Sequence, residues 1–155
     1  MQQFETRSEE ETIQLGREIA ARLPRRAVVL LTGNLGAGKT TLAKGIVSGL
    51  GAAQPEDVTS PTFTLIHEYG SSSSGARVYH VDLYRLERAE EVARLGLEEM
   101  FDRDAVVLIE WGERFPQLMP ADRIEIRMET GNADQRRIQV RGMEAHSRPP
   151  SHPDY

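Results

Sequence analysis

Residues 33–40 of the chain read GNLGAGKT, which matches the pattern G-x-x-x-x-G-K-[ST] without a gap. This pattern is typical of a loop that wraps the phosphates of a nucleotide, because its glycines let successive backbone N–H groups turn inward. The loop follows a continuously apolar segment, residues 27–31, and opens a segment of helical pattern that begins at Gly38. A strand before the loop and a helix after it are the context that the motif requires. The sequence therefore predicts an α/β fold built around a phosphate-binding loop.

Each position of this loop has its own expected task. Lys39 is expected to reach the β- and γ-phosphates as a point charge, and the hydroxyl of Thr40 is expected to ligate Mg²⁺. The N-terminus of the following helix adds a partial positive charge. An Asn-Lys-x-Asp motif, with which guanine-specific proteins of this kind read the base, is absent from the sequence, so ATP is favoured. The backbone N–H groups expected at the phosphates belong to Leu35, Gly36, Ala37 and Gly38.

Two acidic residues are candidates for holding the magnesium shell or for aligning the attacking water. Asp82 ends the predicted strand of residues 78–81, and Glu110 ends the apolar predicted strand of residues 106–109. Because open α/β sheets bind ligands beyond the carboxyl ends of their strands, both acids are expected near the phosphate loop. The alternative for either acid is a solvated charge at a strand end or the cap of the next helix, and the residue pattern does not rank the two.

A hydroxyl-rich segment, residues 59–64, reads TSPTFT between a helix and a strand. One interpretation is a loop that folds over the γ-phosphate, offers a hydroxyl of Thr59, Ser60 or Thr62 to the metal, and relaxes after hydrolysis. The other is an ordinary turn in which Pro61 fixes the backbone. Both interpretations stay open at this point.

Three further features lie near these segments, and each has a purely structural interpretation. His80 precedes Asp82 by two residues and so shares its strand face, but a lone strand histidine is more often structural. Trp111 follows Glu110 and packs either near the nucleotide or in the core. The adjacent arginines at positions 136 and 137 are most simply solvated charges.

The element order predicts a single α/β domain over residues 1–143. A capping box at residues 8–11 opens the first helix, a hairpin spans residues 59–83 with its tip at 71–75, and a second hairpin turns at residues 131–132. The helical stretch 87–100 is expected to break near Gly96. Residues 144–155 carry three prolines and no apolar periodicity, which predicts a disordered tail.

Composition excludes several classes of protein. The 155 residues include no cysteine, so disulfides, thiolate catalysis and cysteine-based zinc sites are ruled out. The mean hydropathy is −0.47, and no apolar run or leader suggests a membrane, which favours a cytoplasmic protein. A net charge of −5 disfavours direct DNA binding, because phosphate contacts need a basic face. Any role with nucleic acid is expected to be indirect, through a partner.

Four segments together resemble one family, the TsaE (YjeE) P-loop ATPases of bacterial tRNA threonylcarbamoyladenosine synthesis. They are residues 33–41, the TSPTF of 59–63, the HVDLYR of 80–85 and the LIEWGER of 108–114. The resemblance implies a P-loop NTPase-like three-layer fold whose mainly parallel sheet is extended by antiparallel strands. It also implies ATP or ADP with Mg²⁺.

The resemblance carries residue roles with it. It implies that Thr41 lies near the α-phosphate and that Asp82 is the Walker-B-like acid. It further implies that Glu110 reaches the metal, that residues 59–63 form a switch-like loop and that Arg137 lies near the nucleotide.

Proteins similar to this family bind a TsaD–TsaB pair, which transfers the threonylcarbamoyl group to tRNA. The implied activity is an Mg²⁺-dependent ATPase, weak alone and stimulated by the pair, with Lys39, Asp82 and Glu110 at its catalytic site. Contact with tRNA is then indirect. Two alternatives use the same residues: a small-molecule kinase on the same scaffold, and a nucleotide-gated binding module with negligible turnover.

Overall fold

The structure is a computed structural model of the 155-residue chain, and it describes residues 1–34, 36–71 and 76–143. Within these ranges the chain forms seven strands and four α-helices. The strands are β1 (Gln2–Thr6), β2 (Ala27–Thr32), β3 (Ile66–Ser71), β4 (Ala76–Asp82), β5 (Val106–Glu110), β6 (Ile124–Thr130) and β7 (Arg136–Arg141). The helices are α1 (Glu9–Arg22), α2 (Lys39–Gly49), α3 (Ala89–Ala93) and α4 (Leu97–Phe101).

All these strands join in one mixed sheet with the order β1-β7-β6-β2-β5-β4-β3. The four central strands, β6, β2, β5 and β4, are parallel to one another. β3 pairs antiparallel with β4 at one edge, and β7 pairs antiparallel with both β6 and β1 at the other. The predicted parallel core with antiparallel extensions is therefore confirmed. The carboxyl ends of its four parallel strands all lie on the same side of the sheet, where the chain leaves each strand.

Strand β2 lies at the centre because its sequence is apolar on both faces. Val29 and Leu31 pack into the cluster that contains α1 and α2, whereas Val28 and Leu30 pack into the cluster that contains α3 and α4. Full burial of each such side chain contributes about 1.5–3 kcal/mol. Helices thus cover both faces of the sheet and form the outer two of three layers.

Helices α1 and α2 meet almost backbone to backbone. A Cβ atom built on Gly45 would lie 2.1 Å from the carbonyl oxygen of Ile13, and one built on Gly16 would lie 2.6 Å from that of Leu42. Such distances leave no room for any side chain at either glycine. This contact fixes the N-terminus of α1 relative to the phosphate loop that precedes α2.

The predicted cap of α1 forms in a modified way. The hydroxyl of Ser8 accepts a hydrogen bond from the backbone N–H of Glu11 at 3.1 Å, as the capping-box pattern requires. The Glu11 carboxylate accepts at 2.8 Å from the N–H of Arg7, one residue before the cap. The helix therefore begins where the sequence predicts, with its return bond shifted by one residue.

The remaining predicted elements are confirmed where the structure describes them. Gly96 adopts a left-handed conformation with φ of 80° and separates α3 from α4. Residues 131–135 connect β6 to β7, closed by a 2.8 Å bond from the Gly131 N–H to the Gln135 carbonyl. Of the predicted hairpin tip at 71–75, Ser71 is the last residue of β3 and residues 72–75 lie outside the described residues, as does the predicted tail at 144–155. In the described part, the helices are all too short or too polar to cross a membrane.

Candidate functional site

A cleft of about 330 Å³ opens at the carboxyl end of the parallel strands, beside the start of α2. Its position agrees with the place where open α/β sheets bind their ligands. Most of the site residues predicted from the sequence line this cleft: Gly36, Gly38, Lys39, Thr40, Thr41, Ser60, Thr62, Asp82 and Glu110. Three others do not line it: Ala37 is buried within the loop, and Thr59 and Arg137 lie outside the cleft. Leu35 lies outside the described residues.

The phosphate loop has the backbone that its glycines predict. Gly38 has a φ of 98°, a left-handed backbone conformation that residues other than glycine rarely adopt, and α2 begins directly after it. Among the described residues no side chain caps this helix, so the N–H groups of its first turn have no side-chain acceptor there. Such a helix start is a ready site for an anion. The N–H of Ala37 is already used, since it donates to the Asn34 carbonyl at 3.1 Å.

Lys39 lies almost entirely inside the cleft wall, with 5% of the residue exposed. Its ammonium donates to the Gly33 carbonyl at 2.7 Å and lies 4.0 Å from the ring centroid of Trp111. Burial lowers the pKa of Lys39 below its ordinary value. Three nearby carboxylates oppose that shift, in decreasing order of effect: Glu110, Glu113 and Asp82.

The two predicted acids stand side by side. Asp82 and Glu110 are register partners at the ends of the adjacent parallel strands β4 and β5, and both are buried. Asp82 accepts two hydrogen bonds, one at 2.8 Å from the Thr62 hydroxyl and one at 2.9 Å from the N–H of Tyr84. Glu110 takes a different partner, because its Oε2 lies 2.6 Å from Nε2 of the fully buried His80.

The hydroxyl-rich segment reaches into the cleft through Ser60 and Thr62. Their hydroxyl oxygens are 2.7 Å apart, and Thr62 continues the chain of hydrogen bonds to Asp82. The backbone adds a second link, since the N–H of Asp82 donates to the carbonyl of Leu65 at 2.9 Å. Thr59 stands apart, because its N–H lies 3.3 Å from the hydroxyl of Tyr69. The segment is thus tied to the acid of β4.

Two parts of the cleft wall were missed from the sequence. One is the start of α1, through Ser8, Glu9 and Thr12, which the sequence presents only as a helix cap. The other is the connection from β6 to β7, through Asp134 of the loop and Arg136, the first residue of β7. The close contact of α1 with α2 brings the start of α1 to the cleft, and no local sequence pattern predicts that contact.

Arg136, and not Arg137, is the arginine of β7 that faces the cleft. Successive side chains of a strand point to opposite faces, so the two arginines cannot share one side. Arg137 lines a separate depression and pairs in register with Glu5 on β1 and Glu129 on β6. The predicted contact of Arg137 with a nucleotide stays a prediction, and Arg136 is the better-placed candidate.

The cleft carries the donor set that Mg²⁺ prefers. Thr40 offers a hydroxyl, and Asp82 and Glu110 offer carboxylates. Mg²⁺ is usually held by one or two carboxylates together with substrate phosphates and water, without a cage made only of protein. The described residues contain no cluster of three histidine or acidic side chains suited to hold a metal alone. These residues therefore fit an ion that arrives with a nucleotide.

Comparison with known proteins gives consistent matches. Residues 6–138 match the family model described as "Threonylcarbamoyl adenosine biosynthesis protein TsaE". The tRNA threonylcarbamoyladenosine biosynthesis protein TsaE of Bacillus subtilis is 38% identical over 135 residues, which covers 87% of this chain and 82% of the relative. The protein of the same name from Haemophilus influenzae is 44% identical over 93 residues, covering 60% of this chain and 56% of the relative. The crystal structure of YdiB from Bacillus subtilis matches with a TM-score of 0.71 and 34% identity, over 88% of this chain and 82% of that one.

Proposed function

The chain belongs to the TsaE family of threonylcarbamoyl adenosine biosynthesis proteins, and from this we propose that it binds and hydrolyses ATP with Mg²⁺ in that pathway. The observation that carries the proposal is the meeting of Lys39, Asp82 and Glu110 in one cleft at the start of α2. A buried cation, two carboxylates and free helix N–H groups are what phosphoryl transfer to water requires.

The phosphates would occupy the mouth of the phosphate loop. The N–H groups of the first turn of α2 would bind their oxygens, and Lys39 would exchange the Gly33 carbonyl for the β- and γ-phosphates. Thr41, the third residue of α2, lines the same cleft and would contact the α-phosphate. With the phosphates bound, these groups would already surround the reacting phosphate, so they would stabilise the developing charge without further reorganisation.

The two acids would divide the remaining work. Thr40 and Glu110 would hold Mg²⁺, since only one of the two carboxylate oxygens of Glu110 is engaged by His80. When bound, the ion neutralises charge on the phosphate oxygens. Both oxygens of Asp82 already accept a hydrogen bond, so this acid is better suited to accept from a water of the metal shell or from the attacking water.

The segment of Ser60 and Thr62 would link hydrolysis to a partner. Thr62 bonds to Asp82 at the bottom of the cleft, while the next residue, Phe63, is 81% exposed. A change at the γ-phosphate would therefore reach the surface through two adjacent residues. We propose a TsaD–TsaB pair as the partner, with tRNA contacted indirectly because the net charge of this chain is −5. The expected compartment is the cytoplasm.

The test is ATP hydrolysis by the purified chain, alone and with TsaD–TsaB from the same organism. We expect weak Mg²⁺-dependent turnover that rises with the pair and disappears in Lys39→Ala. Lys44→Ala is the matched control, because it removes the only other lysine of the chain, on the same helix and outside the cleft lining. Nucleotide binding is followed separately by the fluorescence of Trp111, the single tryptophan, which contacts Lys39.

The outcomes separate the alternatives. Turnover that is indifferent to the pair would contradict the proposed partnership, and phosphorylation of a metabolite acceptor would favour a kinase. ATP-dependent binding of the pair that survives in a hydrolysis-dead variant, with negligible turnover in the native chain, would favour a nucleotide-gated module. Unchanged ATP affinity and hydrolysis in Lys39→Ala would overturn the site itself.

A further inference from the structure

His80 lies beneath the cleft in a position that its sequence context does not explain. It is fully buried in β4, two residues before Asp82. A buried polar side chain must recover the free energy of lost hydration through hydrogen bonds. His80 makes one such bond, between Nε2 and the Oε2 of Glu110 at 2.6 Å. Its Nδ1 is buried and has no partner among the described residues.

The direction of that bond follows from chemistry. Toward an ionised Glu110, which only accepts, Nε2 of His80 carries the proton and donates the hydrogen bond. Within the described residues, only Nε2 of the two ring nitrogens of His80 has a hydrogen-bond partner, and that partner is the cleft residue Glu110. The histidine thus contributes less to a stable interior than an apolar side chain of similar size would, which indicates another use.

Glu110 has a competing partner on the cleft side. The ammonium of Lys39 is close enough that Glu110 is the strongest of the charges opposing its burial. Yet the two do not form an ion pair in the described part of the chain: Lys39 donates to the Gly33 carbonyl, and Glu110 accepts from His80. Opposite charges in a buried site attract strongly, so something must hold them apart.

We infer that His80 is a positioning residue that keeps the Glu110 carboxylate off the Lys39 ammonium, leaving the acid free for Mg²⁺ and the cation free for phosphates. This inference rests on the proposed function. Partners that orient a metal ligand in this way are worth about 10- to 100-fold in metal affinity or activity.

Two substitutions distinguish positioning from packing. His80→Gln places an amide N–H near the former Nε2 and keeps the bond to Glu110, whereas His80→Asn is too short to reach it. We expect the Mg²⁺ concentration for half-maximal hydrolysis to rise about 10- to 100-fold in His80→Asn and to stay near the native value in His80→Gln. Circular dichroism and Tm establish that each variant is folded.

A second readout does not use hydrolysis at all. Without Mg²⁺, the affinity for ADP measured by Trp111 fluorescence should fall in His80→Asn, because Glu110 then pairs with Lys39. Adding Glu110→Gln removes that competing charge and should restore the Mg²⁺-free affinity. A purely structural defect would not be repaired by a second substitution. Native Mg²⁺ dependence in His80→Asn, or no restoration in the double variant, overturns the inference.

A third measurement needs no variant to fold. In the native chain, the imidazole ¹⁵N spectrum should show His80 protonated at Nε2, and protonation at Nδ1 alone would overturn the inference. Failure of the proposed function has a different signature: the native chain would then neither bind nor hydrolyse ATP, while the ¹⁵N spectrum would still decide the hydrogen bond.

Discussion

Asp82 and Glu110 face each other across the last rung of β4 and β5, so two carboxylates share one end of the sheet. Their immediate partners differ, since Asp82 accepts from Thr62 and Tyr84 whereas Glu110 accepts from His80. Like charges on directly opposed residues are unfavourable unless a cation lies between them. The Lys39 ammonium offsets part of this repulsion in the free chain, and a bound Mg²⁺ would offset more of it.

Removing one of these charges should separate stability from activity. Glu110→Gln keeps an oxygen that accepts from His80 but removes the charge opposite Asp82. We expect the Tm without Mg²⁺ to stay the same or rise, and ATP turnover to fall by about 100-fold, as when one electrostatic group of a site is lost. Calorimetry and a steady-state assay measure the two effects. Native turnover in this variant would make Glu110 a structural residue.

The bond between Thr62 and Asp82 should matter to turnover as well as to folding. Thr62→Ala deletes a 2.8 Å hydrogen bond to a carboxylate, and bonds to charged groups contribute about 1.5–3 kcal/mol, so we expect kcat to fall roughly 10-fold or more. Thr62→Ser retains the hydroxyl and should recover most of the loss. Thr59→Ala is the control from the same segment, because Thr59 lies outside the cleft lining. Equal losses in the Thr59 and Thr62 variants would contradict this role.

The neighbouring arginines of β7 should behave differently. Arg136→Ala is expected to weaken ADP binding, because Arg136 lines the cleft. Arg137→Ala removes the same charge from the opposite face and should leave the affinity unchanged. Exposed or partly exposed charge contacts are worth up to about 1 kcal/mol, so we expect the Arg136 variant to lose up to about fivefold in affinity by titration calorimetry. The reverse ranking would show that Arg137 is the nucleotide contact.

The lowered pKa of Lys39 predicts opposite pH trends for binding and folding. Phosphate binding needs the charged ammonium, so ADP affinity should fall at a pH where an ordinary lysine is still charged. The unfolded chain holds the proton more tightly than the folded one, so this group makes the free energy of unfolding rise with pH between the two pKa values. Lys39→Met should remove both trends. Denaturant unfolding and ADP titration over a neutral-to-alkaline series measure them.

The contact between α1 and α2 should reverse the usual effect of a helical glycine substitution. In an open helix, alanine is favoured over glycine by about 0.5–1 kcal/mol. At Gly45 the new Cβ would meet the Ile13 carbonyl at 2.1 Å, so Gly45→Ala should lower the free energy of unfolding by about 1–3 kcal/mol or more. Gln14→Ala, on the exposed side of α1, should change it by less than about 0.5 kcal/mol. A more stable Gly45→Ala would contradict the close contact.

Local patterns were sufficient for the elements and for much of the cleft. The apolar run of β2, the glycines of the phosphate loop and the cap at Ser8 each depend on neighbours a few residues away, and each stands where predicted. The acids followed from a general rule about strand ends, which needs no knowledge of the partner strand. Asp82 and Glu110 consequently appear together in the cleft.

Features that depend on register or on helix packing could not be predicted. The bond between His80 and Glu110 joins residues thirty positions apart and exists only because β4 pairs with β5 in one register. The choice between Arg136 and Arg137 depends on which face of β7 meets the loop, and a shift of one residue reverses it. Ser8 appears in the sequence as a cap, and its place in the cleft wall comes from the packing of α1 on α2.

The two helical layers pack on the sheet in different ways, so the two faces of the sheet should tolerate amino-acid substitutions to different degrees. On one face, α1 meets α2 through Gly16 and Gly45, with no side chain between the backbones to absorb a change in volume. On the other, α3 and α4 are held by side chains of mixed shape, such as Val92, Leu97 and Met100, which can exchange volume among themselves. Substitutions should therefore accumulate on the α3–α4 side and be rarer along the contact between α1 and α2.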